Sequence, residues 1–214
     1  MTLACDTDTH ATPDDVADVM RRLGALTRFN KDQEIFAQDD RVEFLRLVVS
    51  GAVRTTRLLG DGRRQVGAFY FPGELLLETG PIHRFSAEAL CDTTLLAVRR
   101  STIQALAGEA RLDRAIWEAI RRELERTQDH VLTLGRKTAC ERVASFLMSL
   151  AQRDGAGRRV AMPMTRQDVA DYLGLTIETV SRMLTQLQSA SVVEFDGYRN
   201  FTVTRWDALE DLAA

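Results

Sequence analysis

The stretch from Met164 to Gln188, MTRQDVADYLGLTIETVSRMLTQLQ, constrains what this chain can become more than any other. It reads as two helices joined by a tight corner. Val169 and Leu173 stand four apart on the first helix, and Val180, Leu184 and Leu187 keep helical spacing on the second. Thr165 and Thr176 stand where capping hydroxyls belong, because a threonine oxygen there accepts from a backbone N–H that the helix leaves unpaired. Gly174 falls between the helices, where a left-handed corner costs glycine little. Ala170 is small enough to let one helix cross the other closely. Ala170, Gly174 and Val180 therefore form the internal frame of a helix-turn-helix.

The outward face of the second helix carries the chemistry. Glu178, Ser181 and Arg182 are three and four residues apart and so share one face, with Ile177 beside them at the N-terminal end that such motifs push into a DNA major groove. Arg182 can donate two parallel hydrogen bonds to guanine, and Glu178 can accept from the cytosine amino group. Ser181 can serve either role or touch a thymine methyl. Arg166, Gln167, Thr176 and Thr179 are placed to hold phosphates and fix the register. The competing reading is a helical hairpin packed inside a larger domain, with Glu178 and Arg182 a surface ion pair.

Charge is consistent with a modest DNA footprint. The net charge is −3, but the acidic excess lies upstream: residues 1–134 hold 18 Lys or Arg against 21 Asp or Glu, and the last 80 residues are balanced at 10 against 10. Between Arg136 and Arg182 the count is 8 basic against 5 acidic. So small an excess predicts few phosphate contacts per subunit, reinforced by pairing of two subunits. No apolar run is long enough to cross a bilayer, and MTLACDTDTHATPDD lacks a signal-like basic start and apolar centre, so no membrane association is expected and the protein is placed in the cytoplasm. The three cysteines, Cys5, Cys91 and Cys140, form no Cys-x-x-Cys pair, which argues against a disulfide framework and a metal site. The plainer reading is three buried or incidental thiols, beside which Cys140, near the expected hinge, is a candidate for oxidative control.

Upstream, the chain divides into a polar N-terminal arm, a helix starting at Asp14 or Asp15 with Val16, Val19, Met20 and Leu23 on one side, and a strand-rich section. QEIFAQ, EFLRLVVSG, AVRTTRLL, RQVGAFYF, RFSAEAL and TTLLAV are short apolar segments broken by Gly51, Asp61-Gly62 and Pro72-Gly73. Six to eight such strands make a small barrel or jelly roll, closing residues 1–108 as a first domain. A short helix (TIQALA) leads through Gly108 into a long one, residues 109–134, on which Trp117, Ile120, Leu124, Thr127, Val131 and Leu134 alternate by three and four. That seam is too narrow to cover a barrel, so it predicts a homodimer interface. Gly135 is expected to separate it from KTACERVASFLMSLAQR, and residues 135–214 form the last domain. There RDGAGRR is a loop, RVAMPM a strand, and the helix-turn-helix is followed by a hairpin around Asp196-Gly197 and a short helix, WDALEDLAA. The fold class is thus α+β: an N-terminal β-barrel or jelly roll, a long dimerisation helix and a C-terminal winged helix-turn-helix.

FPGELLLETGPIHRFSAEAL in the barrel and TRQDVADYLGLTIETVSRML in the last domain, in that order around the long helix, resemble the Crp/Fnr superfamily of bacterial transcription regulators over essentially the full length. DYLGLTIETVSR looks especially like the Fnr and FixK branch, and HRFSAEALCD is similar to the FixK group. In that branch Glu-x-x-Ser-Arg reads a palindrome with TTG and CAA at its outer ends, which transfers onto Glu178, Ser181 and Arg182. The resemblance implies a cyclic-nucleotide-binding-like barrel, in which the cyclic-AMP members use Gly-Glu-Leu-Gly followed by Arg-Ser-Ala. Here Gly73, Glu74, Leu75 and Arg84 remain, but Leu76 replaces the second glycine and Phe85 the small hydroxyl residue, removing a phosphate donor and filling space. On the long helix, Gln128 stands after Thr127 instead of the usual serine.

An iron-sulfur cluster needs four thiolates and the chain has three in all. Haem-based relatives use an axial side chain, yet no haem motif singles out His10, His83 or His130, and His83 is expected on a loop beside Arg84. No cofactor is therefore expected. The resemblance implies an activator that recruits RNA polymerase at genes for low-oxygen respiration, nitrogen fixation or denitrification. Two alternatives stand beside it: effector control through haem or a small molecule, and a barrel-based binding module without DNA readout. An enzyme is the weakest class, because Glu74, Glu78 and Asp92 lack an accompanying nucleophile, metal cluster or phosphate loop.

Overall fold

The computed structural model describes residues 20–78, 80–106, 110–153 and 159–214. The strand-rich section forms two antiparallel four-stranded sheets. One runs in the order β1 (Ala25–Phe29), β8 (Thr93–Arg99), β3 (Phe44–Ser50) and β6 (Leu75–Leu76). The other runs β2 (Glu34–Phe36), β7 (Ser86–Ala89), β4 (Val53–Leu58) and β5 (Arg64–Tyr70). Each sheet keeps its own edge strands, so the expected barrel is not closed and the domain is a jelly roll. The six expected strands are present, together with β1 and β6, which the sequence pattern did not mark.

Alternation explains the packing. Val48, Val53, Ala68, Tyr70, Ala87, Ala89 and Leu95 point between the sheets and are buried with Ile35 and Phe36. Gly51 makes the β3–β4 corner at φ 84°, so close to Thr93 that a Cβ there would sit 2.4 Å from its hydroxyl. Asp61-Gly62 turns β4 into β5, with Gly62 at φ 83°.

Of the expected N-terminal helix, Asp14, Val16 and Val19 lie outside the described residues. Its end at residues 20–23 is helical and closes with Gly24 donating to the Met20 carbonyl at 2.8 Å. Met20 is buried beside Leu47, Leu75, Leu96, Val98 and Ala115.

Helix α1 (Arg100–Ala105) leads to the long helix α2 (Ala110–Arg136). Gly108 lies outside the described residues. Gly135, expected to separate two helices, is inside α2. The break falls at Lys137-Thr138, where Thr138 begins α3 (Ala139–Arg153) with a capping box of its own: its N–H donates to Glu141 at 2.7 Å and its hydroxyl accepts from the Glu141 N–H at 3.4 Å. A glycine inside a helix costs about 1 kcal/mol, and a cap of this kind contributes a comparable amount.

The winged domain follows. β9 (Val160–Ala161) pairs with β11 (Asn200–Val203), which pairs with β10 (Val193–Asp196). Most of the expected RDGAGRR loop lies outside the described residues. α4 (Arg166–Leu173), α5 (Ile177–Ser189) and α6 (Trp206–Ala213) complete it. Its core of Val143, Phe146, Leu147, Leu150, Val169, Leu173, Val180, Leu184 and Leu187 is continuous with Val66 and Phe69 of the jelly roll. The expected domain boundary is therefore bridged by one apolar cluster, in which Phe69 and Tyr172 meet with ring centres 5.2 Å apart.

Candidate nucleic-acid interface

The helix-turn-helix is built by local hydrogen bonds. At the start of α4 the Asp168 N–H donates to the Thr165 hydroxyl at 3.1 Å, and the Thr165 N–H donates to the Asp168 carboxylate at 2.9 Å. Gly174 closes α4 at φ 62° and donates to the Ala170 carbonyl. Thr176 caps α5 by accepting from the Thr179 N–H at 3.2 Å. Ala170 and Val180 are wholly buried where the two helices cross.

The face of α5 opposite this crossing is open. Glu178 and Arg182 are exposed, Ile177 is 38% exposed and Ser181 is half-buried. Glu178 and Arg182 make no ion pair with each other among the described residues. The Glu178 backbone N–H and the Thr176 hydroxyl hold the Glu178 carboxyl below its ordinary range, which keeps it an acceptor. These side chains stand together as an arginine fork, a carboxylate acceptor and a hydroxyl, the groups that tell base pairs apart in a major groove.

The four residues expected at phosphates divide. Gln167, Thr176 and Thr179 border one cleft of about 810 Å³, closed on its other side by Leu59, Arg63 and Arg64 of the jelly roll. Arg166 does not border that cleft; its guanidinium lies 5.8 Å from the ring centre of Tyr198 at the tip of the wing. Tyr198, 81% exposed, is a residue the sequence reading did not single out. The hydroxyls of Thr176 and Thr179 lie 3.1 Å apart.

On α2, Trp117, Leu124 and Val131 are 72%, 56% and 63% exposed, and Thr127 is exposed with its hydroxyl donating to the Glu123 carbonyl at 2.8 Å. Ile120 and Leu134 are half-buried. Leu134 leans on the helix-turn-helix corner, its Cδ2 4.0 Å from where a Cβ on Gly174 would stand. On the opposite side Ala115 and Ala119 pack toward the jelly roll, and Leu112 and Ala115 are buried.

Of the jelly-roll residues that matter for a nucleotide, Glu74, Leu76 and Phe85 are otherwise engaged. Glu74 accepts from the Phe71 N–H at 2.9 Å and pairs with Arg126 of α2 and Arg153 of α3. Leu76 is buried in the core. The Phe85 ring lies against Gly67, where an added Cβ would come within 2.6 Å of it. Arg84 is exposed. His83 sits on a loop as expected but is buried, stacked on Phe36 at 3.7 Å. His130 stacks on Tyr172 at 4.0 Å, and His10 lies outside the described residues. Cys91 and Cys140 are free thiols, whereas Cys5 lies outside the described residues. Burial and then Glu141 push the Cys140 thiol up, which lowers its thiolate fraction. Among the described residues no His, Cys, Asp and Glu cluster is arranged to hold a metal, and no helix is long and apolar enough to cross a membrane.

Comparison with known proteins accounts for both halves. Residues 26–109 match the cyclic nucleotide-binding domain family and residues 141–212 the Crp-like helix-turn-helix domain family. The chain is 45% identical over 203 residues to the nitrogen fixation regulation protein FixK of Azorhizobium caulinodans, covering 92% of this chain and 82% of that protein. The chain belongs to the FixK group of the Crp/Fnr regulators. A FixK of Rhizobium meliloti is 42% identical over 188 residues, covering 87% of this chain and 86% of that one. The solved structure of FixK2 from Bradyrhizobium japonicum superposes with a TM-score of 0.85 at 44% identity, covering 90% of this chain and 98% of that one. As a member of this group the chain is a DNA-binding transcription regulator and not an enzyme.

Proposed function

We propose that two copies of this FixK-type chain, paired along α2, read a palindrome with TTG and CAA at its outer ends and activate transcription by engaging RNA polymerase in the cytoplasm. The observation that carries this reading is the open face of α5, where Glu178, Ser181 and Arg182 are presented together and Arg182 makes no ion pair among the described residues. The exposed apolar stripe of Trp117, Leu124 and Val131 supports the pairing, because a monomer gains nothing by leaving those side chains in water. Two reading helices related by a two-fold axis would meet half-sites about one DNA turn apart. The group's named members regulate nitrogen fixation, which makes nitrogen-fixation, low-oxygen and denitrification promoters the targets to examine. Gln167, Thr176 and Thr179 hold phosphates in this scheme, with Arg166 moving from Tyr198 to join them.

Selection of binding sites from random duplexes with the purified protein, with and without oxidant, tests the whole reading. A symmetrical TTG…CAA consensus is expected. An unsymmetrical or absent consensus would sink it, and an affinity that oxidant lowers in the parent but not in Cys140→Ser would establish the redox role of that thiol.

A second reading, effector control, is favoured by a cleft of about 790 Å³ between α2, α3 and the winged domain, lined by Arg126, His130, Arg153 and Tyr172. A rise in melting temperature on adding a small-molecule effector would support it.

A further inference from the structure

Asp168 does two things at once. Its Oδ2 closes the capping box of α4, accepting from the Thr165 N–H at 2.9 Å and the Thr165 hydroxyl at 2.7 Å. Its Oδ1 accepts from two arginines of the jelly roll: Arg54 Nη1 on β4 at 2.9 Å and Arg64 Nη2 on β5 at 2.8 Å. The carboxylate is wholly buried. Each arginine is gripped a second time. Arg54 Nε donates to Glu88 on β7 at 3.0 Å, and Arg64 Nε donates to Asp171 on α4 at 2.8 Å. Near the other end of α4, Gln65 on β5 donates to the Asp171 carbonyl at 2.7 Å.

A cluster of this kind is a poor source of net stability, because removing charges from water costs much of what their attraction returns. It is an effective source of geometry. A guanidinium is a planar fork whose donors point in fixed directions, so two forks meeting one carboxylate oxygen fix both the position and the tilt of the helix that carries it. α4 is locked to α5 through the buried Ala170 and Val180. Whatever orients α4 therefore orients the reading helix. The apolar part of the same interface, Val66 and Phe69 against Phe146 and Tyr172, supplies attraction but little direction.

We propose that Arg54 and Arg64, with Glu88 behind Arg54, are positioning residues for DNA readout: through Asp168 the outer face of the jelly roll sets the angle at which α5 is presented. The proposal rests on the DNA reading given above and adds to it a part of the molecule that reaches no base. It makes the sheet β2-β7-β4-β5 an element through which a change in the jelly roll alters DNA affinity.

Arg54→Gln and Glu88→Gln leave the helix-turn-helix sequence and its Thr165–Asp168 cap intact, and Glu88→Gln leaves both arginines in place. Each is made in the full-length protein, and binding to the selected duplex is measured by fluorescence anisotropy well below the melting temperature. In parallel, with Cys5, Cys91 and Cys140 replaced by serine, nitroxides at the exposed positions Leu58 on β4 and Gln188 on α5 report the distance between jelly roll and reading helix by double electron-electron resonance. Both substitutions should broaden that distance distribution and weaken binding about tenfold or more, the size of a typical coupling between sites. A role confined to stability would lower the melting temperature and leave the distribution of the folded protein narrow, which overturns the proposal. So does binding within twofold of the parent, or tighter than it. A parent protein that binds no duplex overturns the DNA reading instead, and is told apart because the loss then precedes any substitution.

Discussion

Arg142 donates from Nη2 to the carbonyl of Leu134 at 2.7 Å. The same guanidinium donates from Nε to Lys137 at 3.0 Å and from Nη1 to Leu173 at 3.1 Å. One side chain on α3 thus satisfies carbonyls at the end of the long helix and at the end of the first helix of the reading motif, where the helical ladder leaves them unpaired. Arg142→Ala is expected to destabilise the winged domain by about 2 to 3 kcal/mol, the cost of stranding part-buried acceptors of a charged donor. Arg142→Lys should recover only part of this, since one ammonium cannot span three carbonyls. Urea denaturation with a tryptophan signal measures both, and equal stability of all three proteins would contradict the assignment.

Removing the Arg182 side chain should separate readout from folding. The side chain is exposed and lies outside the core, so Arg182→Ala should leave the melting temperature unchanged. Against the selected duplex it should cost about 1 to 3 kcal/mol and flatten preference at the guanine it reads, with little change on nonspecific DNA. A uniform loss on every sequence would move Arg182 from the base-reading set to the phosphate set.

The contrast between Arg182 and Arg54 shows what was legible beforehand. The reading motif could be inferred because its determinants are local: Thr165, Gly174, Thr176 and the apolar spacing lie within a few residues of what they control. The Asp168 cluster was not, because its partners Arg54 and Arg64 are more than a hundred residues away and a charge in a strand carries no mark of the carboxylate it will meet. Of that cluster only Thr165, standing where a capping hydroxyl belongs, was legible. Strand β1, exposed along most of its length, has no alternation to betray it and owes its form to pairing with β8. β6 is two residues long. On α2 the seam of Trp117, Leu124 and Val131 stood out, whereas the stripe that packs inward is built on Ala115 and Ala119, whose small side chains give little periodic signal.

That seam gives the next prediction. Leu124→Glu should abolish pairing, because a carboxylate at a seam position is desolvated against an apolar partner surface. Within the single chain the side chain is exposed, so folding should be retained. Analytical ultracentrifugation should then report a single-chain mass, and affinity for the full palindrome should fall toward that for a half-site. A dimer of undiminished stability would place the interface elsewhere.

Acid should weaken the jelly roll through His83. The imidazole is 3% exposed, stacked on Phe36, and its Nδ1 has no hydrogen-bond partner among the described residues. Burial, and then the nearby Arg46, press its pKa from 6.5 to about 4, with Asp40 pulling weakly the other way. Above pH 6.5 the ring is neutral both folded and unfolded, so stability is unaffected by it. Between 6.5 and about 4 the unfolded chain takes a proton that the folded chain refuses, so stability falls as the pH falls, by roughly 3 kcal/mol across the window. Below about 4 the two states bind alike and the loss stops growing. Glu78, 3.9 Å from Nδ1 and itself raised by burial, acts in the opposite sense just above its ordinary range, which blunts the lower part of the window. His83→Phe keeps a ring against Phe36 and removes the proton site. Urea midpoints between pH 7.5 and 4.5 should therefore drop steeply in the parent and more gently in the variant, and parallel slopes would show that the acid sensitivity arises elsewhere.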